Sequence, residues 1–420
     1  MVLVFSPFDH PKLHFVLSEI FVRRCKMPFQ ITCDDAFFIQ TANPLKINYS
    51  REPLPGIPVY QSGWLAHEGL DPHFKPAYAL QSGLPCLFPE TGNKRFDLFA
   101  ACFWLLSRYE EYQEFRGDAY GRFSLKDSCL PDDWCAEPFL DIHIRNFLHE
   151  LGLQPKNEFR IIPTADIDIA FKFLGRPPQL RFAGFIRDLL LSRNNLAERW
   201  HMRIRKHDPY DVYNWLCARF RNFPDARIFW QMNRSRNGKD RQVNIRHRLF
   251  VQRLKTCVAQ VKPGIHPSWE SKTNAAQLHK EKTALERIIG QQVCDSRQHF
   301  LAFSFPETFR NLVQSGITQD YSLGWPERAG FRAATSWPFA FYDVLRDKQE
   351  ALGFIPSCAM DVTLKDYMNL NAADAILLGN ELKEKARREG GVFCFIVHNE
   401  SMSETGSWKG WQKVAEAWMA

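Results

Sequence analysis

Apolar positions along this chain show two textures, with the change near residue 156. In the first part, short extended runs such as Met1-Val2-Leu3-Val4-Phe5, Ile47-Asn48-Tyr49 and Pro58-Val59-Tyr60 alternate with turns rich in Pro and Gly. Two helical patterns interrupt them. Phe96–Tyr112 is apolar around most of its circumference at the N-terminal end, which predicts a largely buried helix. Phe139–Leu151 stops at Gly152, the residue type expected just past a helix C-terminus. Arg108, Glu110 and Glu111 read as an ion-paired helix end.

Beyond residue 156 the pattern alternates between strand and helix periods. Strands are expected at Glu158–Ile162, Ala226–Gln231, Thr256–Val261, Val293–Ser296, Asp320–Leu323 and Gly391–Val397. Helices are expected between them, as in Ala275–Ile289, where Leu278, Ala284, Leu285 and Ile288 make an apolar stripe among lysines and glutamates. This alternation predicts an α/β fold built on a parallel sheet or barrel, with its chemistry at the C-terminal ends of the strands. Asp166, His266, Arg297 and His398 all fall shortly after strand candidates. Residues 1–155 are therefore expected to form a smaller α/β N-terminal domain, and residues 156–420 the barrel. The arginine-rich stretch Arg181–Arg221 reads as a helical insertion over the barrel.

Composition narrows the field. The 420 residues are 45% hydrophobic and 24% charged, an ordinary globular balance. The net charge of +7 is mild, and its densest stretch, Arg181 to Arg253, reads as a solvated basic face; no nucleic-acid-binding motif is present. Eleven cysteines are scattered without a CxxC pair, as expected for reduced thiols. No apolar run reaches the ~18 residues of a membrane span, and the N-terminus lacks the basic and apolar regions of a signal peptide. The expectation is a soluble cytoplasmic protein without a nucleic-acid partner.

Candidate chemistry begins at Thr164-Ala165-Asp166-Ile167-Asp168, where a buried run ends. Alternate strand residues share a face, so the two carboxylates point the same way. Like charges held that close are costly unless a cation or a shared proton relieves them. The pair is thus a candidate metal and general-base site; the alternative is a strand-end Asp capping the next turn. Downstream, in order, stand Gly264-Ile265-His266-Pro267-Ser268-Trp269, Ser296-Arg297-Gln298-His299-Phe300 and Val397-His398-Asn399. Asp320-Tyr321-Ser322, Gly330-Phe331-Arg332 and Met360-Asp361-Val362 lie between the last two.

This order resembles the polysaccharide deacetylases of the NodB-homology type (carbohydrate esterase family 4), in particular bacterial deacetylase-like proteins with an uncharacterised N-terminal domain ahead of the barrel. The stretch Phe99 to Tyr112, followed by Gly121-Arg122-Phe123, is similar to part of that N-terminal domain. The resemblance implies a deformed (β/α) barrel with a divalent metal, usually zinc, that hydrolyses N-acetyl groups on amino sugars. By position, it implies that Asp166 is the catalytic base, Asp168 the metal-binding carboxylate and His266 an imidazole ligand. It also implies that Arg297 orients the base and that His398 is the general acid. Where the family has a second histidine, four residues after the first, this chain has Glu270. Glu270 and His299 are the candidates for the third ligand, and a site without one stays open. The Pro-aromatic-Gly that usually follows the arginine is also absent.

Trp269, Asp320 and Arg332 are the candidate substrate-binding residues. Arg332 is alternatively a rim strut on Asp361 or Asp343, and Asp320 a neighbour of Arg297. Trp325 and Trp337-Pro338-Phe339 are either a sugar platform or core. The expected activity is metal-dependent deacetylation of an acetylated sugar or polysaccharide precursor, with an Asp base, a His acid and a metal-bound water. The rival expectations are a non-catalytic barrel that binds a glycan or partner protein, and hydrolysis of another C–N bond.

Overall fold

A computed structural model describes residues 1–156, 158–175, 186, 198–200, 207–233 and 238–420. The chain opens with β1 (Val2–Phe5), four apolar residues that are all buried. It lies between two parallel neighbours, β2 (Phe29–Thr32) and β3 (Lys46–Asn48), with β4 (Ile57–Pro58) outside β3. The helices Pro11–Leu17 and Asp35–Gln40 make the crossovers; the second starts where the Asp34 side chain accepts the Phe37 N–H. A hairpin of β5 (Tyr78–Gln81) and β6 (Leu84–Leu87) follows.

Helix Leu98–Leu106 is buried at every residue, as its all-round apolar pattern predicts, but it is shorter than the expected Phe96–Tyr112. It stops because Arg108 takes a left-handed conformation (φ 54°, ψ 41°) and turns its guanidinium inward. There it pairs with Glu110 at 3.0 Å and Glu111 at 2.8 Å, and donates to the Arg332 carbonyl at 2.8 Å. Helix Phe139–Glu150 ends before Gly152, whose φ is 69°.

The second sheet has nine strands in the order β12-β13-β11-β10-β9-β8-β7-β15-β14. Its members are β7 (Arg160–Ile167), β8 (Arg227–Trp230), β9 (Lys262–Ile265), β10 (Asp295–Ser296), β11 (Gln319–Asp320), β12 (Phe339–Asp343), β13 (Lys348–Phe354), β14 (Ser357–Met360) and β15 (Val392–His398). Every adjacent pair is parallel except β12 with β13. The sheet curls: Ser357 N–H donates to the Leu323 carbonyl at 2.9 Å and Gly330 N–H to the Cys358 carbonyl at 2.8 Å, which brings β14 back toward the exit of β11. The result is a half-barrel.

The expected strand at Thr256–Val261 is the end of helix Arg248–Val258, where Phe250, Leu254 and Cys257 are buried at helical spacing. The strand itself is β9, which contains Pro263 and Gly264, residues that read as a turn. Gly264 is needed there because a Cβ would come within 2.3 Å of the Phe229 ring. Strands β12 to β14 were not expected at all. They lie in or near the stretch read as a possible sugar platform, and Trp325, Trp337 and Phe339 are buried core residues.

The first sheet's helices pack against β12. Phe15 and Phe103 each place their rings 5.0 Å from Tyr342, and one hydrophobic cluster runs from Val2 to Trp418. Of the arginine-rich stretch read as an insertion, helix Tyr213–Phe220 is described; most of the rest lies outside the described residues. No described helix is long and apolar enough to cross a membrane.

Candidate active site

Strand register brings the functional side chains to one end of the nine-stranded sheet. Asp166 on β7 lies opposite His398 on β15 and Phe229 on β8; Ile265 on β9 lies opposite Trp230 and Ser296. Asp168, His266, Arg297 and His299 therefore leave their strands side by side. Asp166, Asp168, His266, His299 and His398 line a cavity of ≈ 210 Å³.

Each group is held from one side. Arg297 is fully buried; its Nη1 donates to Asp166 Oδ1 at 2.8 Å, its Nε to the Tyr321 carbonyl at 3.0 Å, and its plane lies 4.5 Å over the Phe229 ring. The His266 Nδ1–H donates to the Arg297 carbonyl at 2.6 Å, so its Nε2 faces the carboxylates, 3.0 Å from Asp168 Oδ1 and 3.9 Å from Asp166 Oδ2. The His299 Nδ1 is 2.8 Å from Asp240 Oδ1, and its Nε2 is 3.5 Å from Asp168 Oδ2. Asp240 in turn accepts from the Gln231 amide at 3.2 Å and the Trp269 N–H at 3.0 Å. The His398 Nδ1 is 2.8 Å from Asp361 Oδ1, with Nε2 3.9 Å from Asp168 Oδ2. Asp361 also accepts the His398 backbone N–H and the Ser401 hydroxyl.

Burial and charge compete at these groups. Burial disfavours the charged form of His398, but Asp361, then Asp168 and Asp166, outweigh it and push the imidazole up to about 10. His299 is likewise pushed up to about 9, where Asp168 and Asp240 overcome burial. Burial would raise Asp168, yet His299 and His266 hold it well below the usual carboxylate range.

The donor atoms of Asp168, His266 and His299 all lie within 4.8 Å of one another, the one such group of three among the described residues. Asp168 Oδ1 is buried without a hydrogen-bond partner although His266 Nε2 is 3.0 Å away. Two imidazoles tied down at Nδ1 and an unpartnered carboxylate oxygen are a donor set that suits a divalent metal.

Four expectations change. Glu270 is exposed, because Trp269–Lys272 forms a short 3-10 turn and not the α-helical turn that would return a side chain four residues on to the site. Trp269 is half-buried and does not line the cavity; Lys239 Nζ sits 3.3 Å over its ring and Phe300 packs 5.9 Å from it. Asp320 is wholly buried, accepting from the Ser296 hydroxyl at 2.6 Å and the Ser322 N–H at 2.8 Å, so it braces the β10 and β11 loops within reach of the Arg297 charge, as its alternative reading had it, and does not line the cavity. Arg332 pairs with Glu111 at 2.6 Å, not with Asp361 or Asp343, which are taken by His398 and Arg310. Sequence reasoning did not single out Asp240, and it placed Asp361 only within a motif segment and as a mate for Arg332. Asp361 had a signal, since it directly follows the apolar run of β14; Asp240 had none.

Residues 2–154 match a family of unknown function (DUF7033). No curated protein matches the chain. Among solved structures, the chain is similar to a putative polysaccharide deacetylase from Mycobacterium smegmatis, with 15% identity over 63% of this chain and 85% of that one and a TM-score of 0.40. It is also similar to a mutant of a CE4 family pseudoenzyme with restored enzymatic activity (10% identity, 62% and 64% coverage, TM-score 0.26). A third is a polysaccharide deacetylase from Bacillus cereus (8% identity, 63% and 86% coverage, TM-score 0.27). With overlaps this loose, the chemistry rests on the side chains.

Proposed function

We propose that the chain is a metal-dependent hydrolase that removes acetyl groups from an N-acetylated sugar or polysaccharide precursor. One observation carries the reading: Asp168, His266 and His299 converge beside an arginine-held carboxylate and a carboxylate-held imidazole. Asp168, His266 and His299 would hold the ion, of which zinc is the best match to two imidazoles and one carboxylate. When bound, such an ion polarises an amide carbonyl and lowers the pKa of a water.

The chain's own residues handle the protons. Asp166, fixed by Arg297, accepts the proton of the attacking water as the new C–O bond forms. His398, fixed by Asp361, gives a proton to the departing amine as the C–N bond breaks. A barrel that only binds glycans has no use for both pairs.

The test is metal content by mass spectrometry, followed by acetate release from N-acetylated amino sugars. Wild type is expected to carry about one divalent ion per chain, and His266→Ala none. A wild type that stays metal-free after zinc is added back would overturn this reading and favour the non-catalytic barrel that binds a glycan or partner protein.

A further inference from the structure

We propose that Arg122, which belongs to the region ahead of the large sheet, is a positioning residue for His299. This rests on the metal reading above. The backbone just after His299 is strained: Phe300 (φ 61°) and Leu301 (φ 51°) are consecutive non-glycine residues in the left-handed region. Such residues persist only where their surroundings impose the conformation.

Arg122 imposes it. Its guanidinium is 5% exposed, and Nη1 donates to the Phe300 carbonyl at 2.6 Å across 178 positions of sequence. The Nε is anchored on Asp118 at 2.7 Å, and Nη2 reaches the Tyr367 hydroxyl at 3.3 Å on another wall of the same cavity. The anchor is itself built. Asp118 accepts the N–H groups of Tyr120 at 2.8 Å and Arg122 at 3.0 Å, in a loop that turns at Gly121 with φ 66°.

The neighbouring ring completes the clamp. Tyr120 stacks on Phe300 with centroids 5.4 Å apart, and Phe300 lies 4.1 Å from the His299 ring. The His299 N–H donates to the Pro267 carbonyl at 3.2 Å, one residue past His266, so a shift of this turn is felt at both imidazoles.

The experiment compares wild type, Arg122→Met, Arg122→Lys, Asp118→Asn and His266→Ala. It measures the zinc dissociation constant by chelator competition, the Tm of the metal-free protein and the Tm rise that zinc produces. Arg122→Met is expected to weaken zinc binding about ten-fold or more, the usual scale for a group that orients a ligand. Arg122→Lys, which keeps one donor for the Phe300 carbonyl, is expected to recover part of that loss. A merely structural arginine would lower the metal-free Tm and leave the affinity of the folded chain alone. If Arg122→Met does not fold, Asp118→Asn reads the same clamp and should weaken zinc less, in the same direction. Wild-type affinity in both variants overturns the role of Arg122 alone. A wild type that binds no zinc overturns this inference together with the hydrolase reading.

Discussion

The sheet β2-β1-β3-β4 and the nine-stranded sheet are built alike, from parallel strands that run out into polar loops. Their strand ends differ in how the polar groups are used. At the smaller sheet the bonds close locally. The Ser6 hydroxyl donates to the Phe8 carbonyl at 2.7 Å, and the Asn48 amide to the carbonyls of Glu52 at 2.8 Å and Leu54 at 3.3 Å. Asp97 collects the Tyr49 hydroxyl, the Ser62 N–H and hydroxyl, and the Ala100 N–H that begins a helix. At the larger sheet, His266, His299 and His398 each spend Nδ1 on the scaffold and turn Nε2 toward Asp168, whose close neighbours there are those imidazoles. A buried polar group with all its bonds made is structure; one held from a single side over a cavity is available for chemistry.

Three substitutions test that contrast. The largest effect is expected at Asp166. Asp166→Asn should keep the metal and lose about 10²–10⁴-fold in turnover, measured as acetate release. Full activity would show that Asp166 is not the base. Asp97→Ala should do the reverse. It removes a helix cap and leaves buried donors unsatisfied, lowering stability by about 2–4 kcal/mol in urea unfolding. Its metal stoichiometry should be unchanged; loss of the metal as well would erase the distinction between the two sheets.

The third substitution concerns Asp320, which sits under the larger sheet's loops, beside but not in its chemistry. Burial, only partly offset by the Ser296 and Ser322 donors and the Arg297 charge, pushes its carboxyl up to about 6 from the ordinary 3.8. The folded chain therefore binds more protons between those values, and stability from this group falls as pH rises from about 4 to 6, then levels off. The full swing is on the order of 3 kcal/mol. Asp320→Asn should flatten that part of the urea-midpoint profile; an unchanged slope would mean the proton sits elsewhere.

Much of the frame was readable from residue order alone. Helix Ala275–Ile289 occurs at the expected residues, capped by Asn274 and closed by a left-handed Gly290. The strands carrying Asp166 and His398 fall within a few residues of expectation, because period and punctuation are local properties of a sequence. Strand β9 was misplaced because its Pro263 and Gly264 look like a turn, and only the Phe229 ring explains why glycine is needed in a strand.

The boundary between the two kinds of knowledge runs through the site itself. The motif order was enough to bring Asp166, Asp168, His266, Arg297 and His398 into play, although Asp168 lies one residue past β7 and its place beside Asp166 is set by the loop and not by strand alternation. That His299 joins them while Glu270 points to solvent depends on how two loops turn. The pairing of Glu111 with Arg332 and the grip of Arg122 on Phe300 join residues 221 and 178 positions apart. Such choices are made by packing and charge in three dimensions, where distant segments compete for the same donor, and no local period records the outcome.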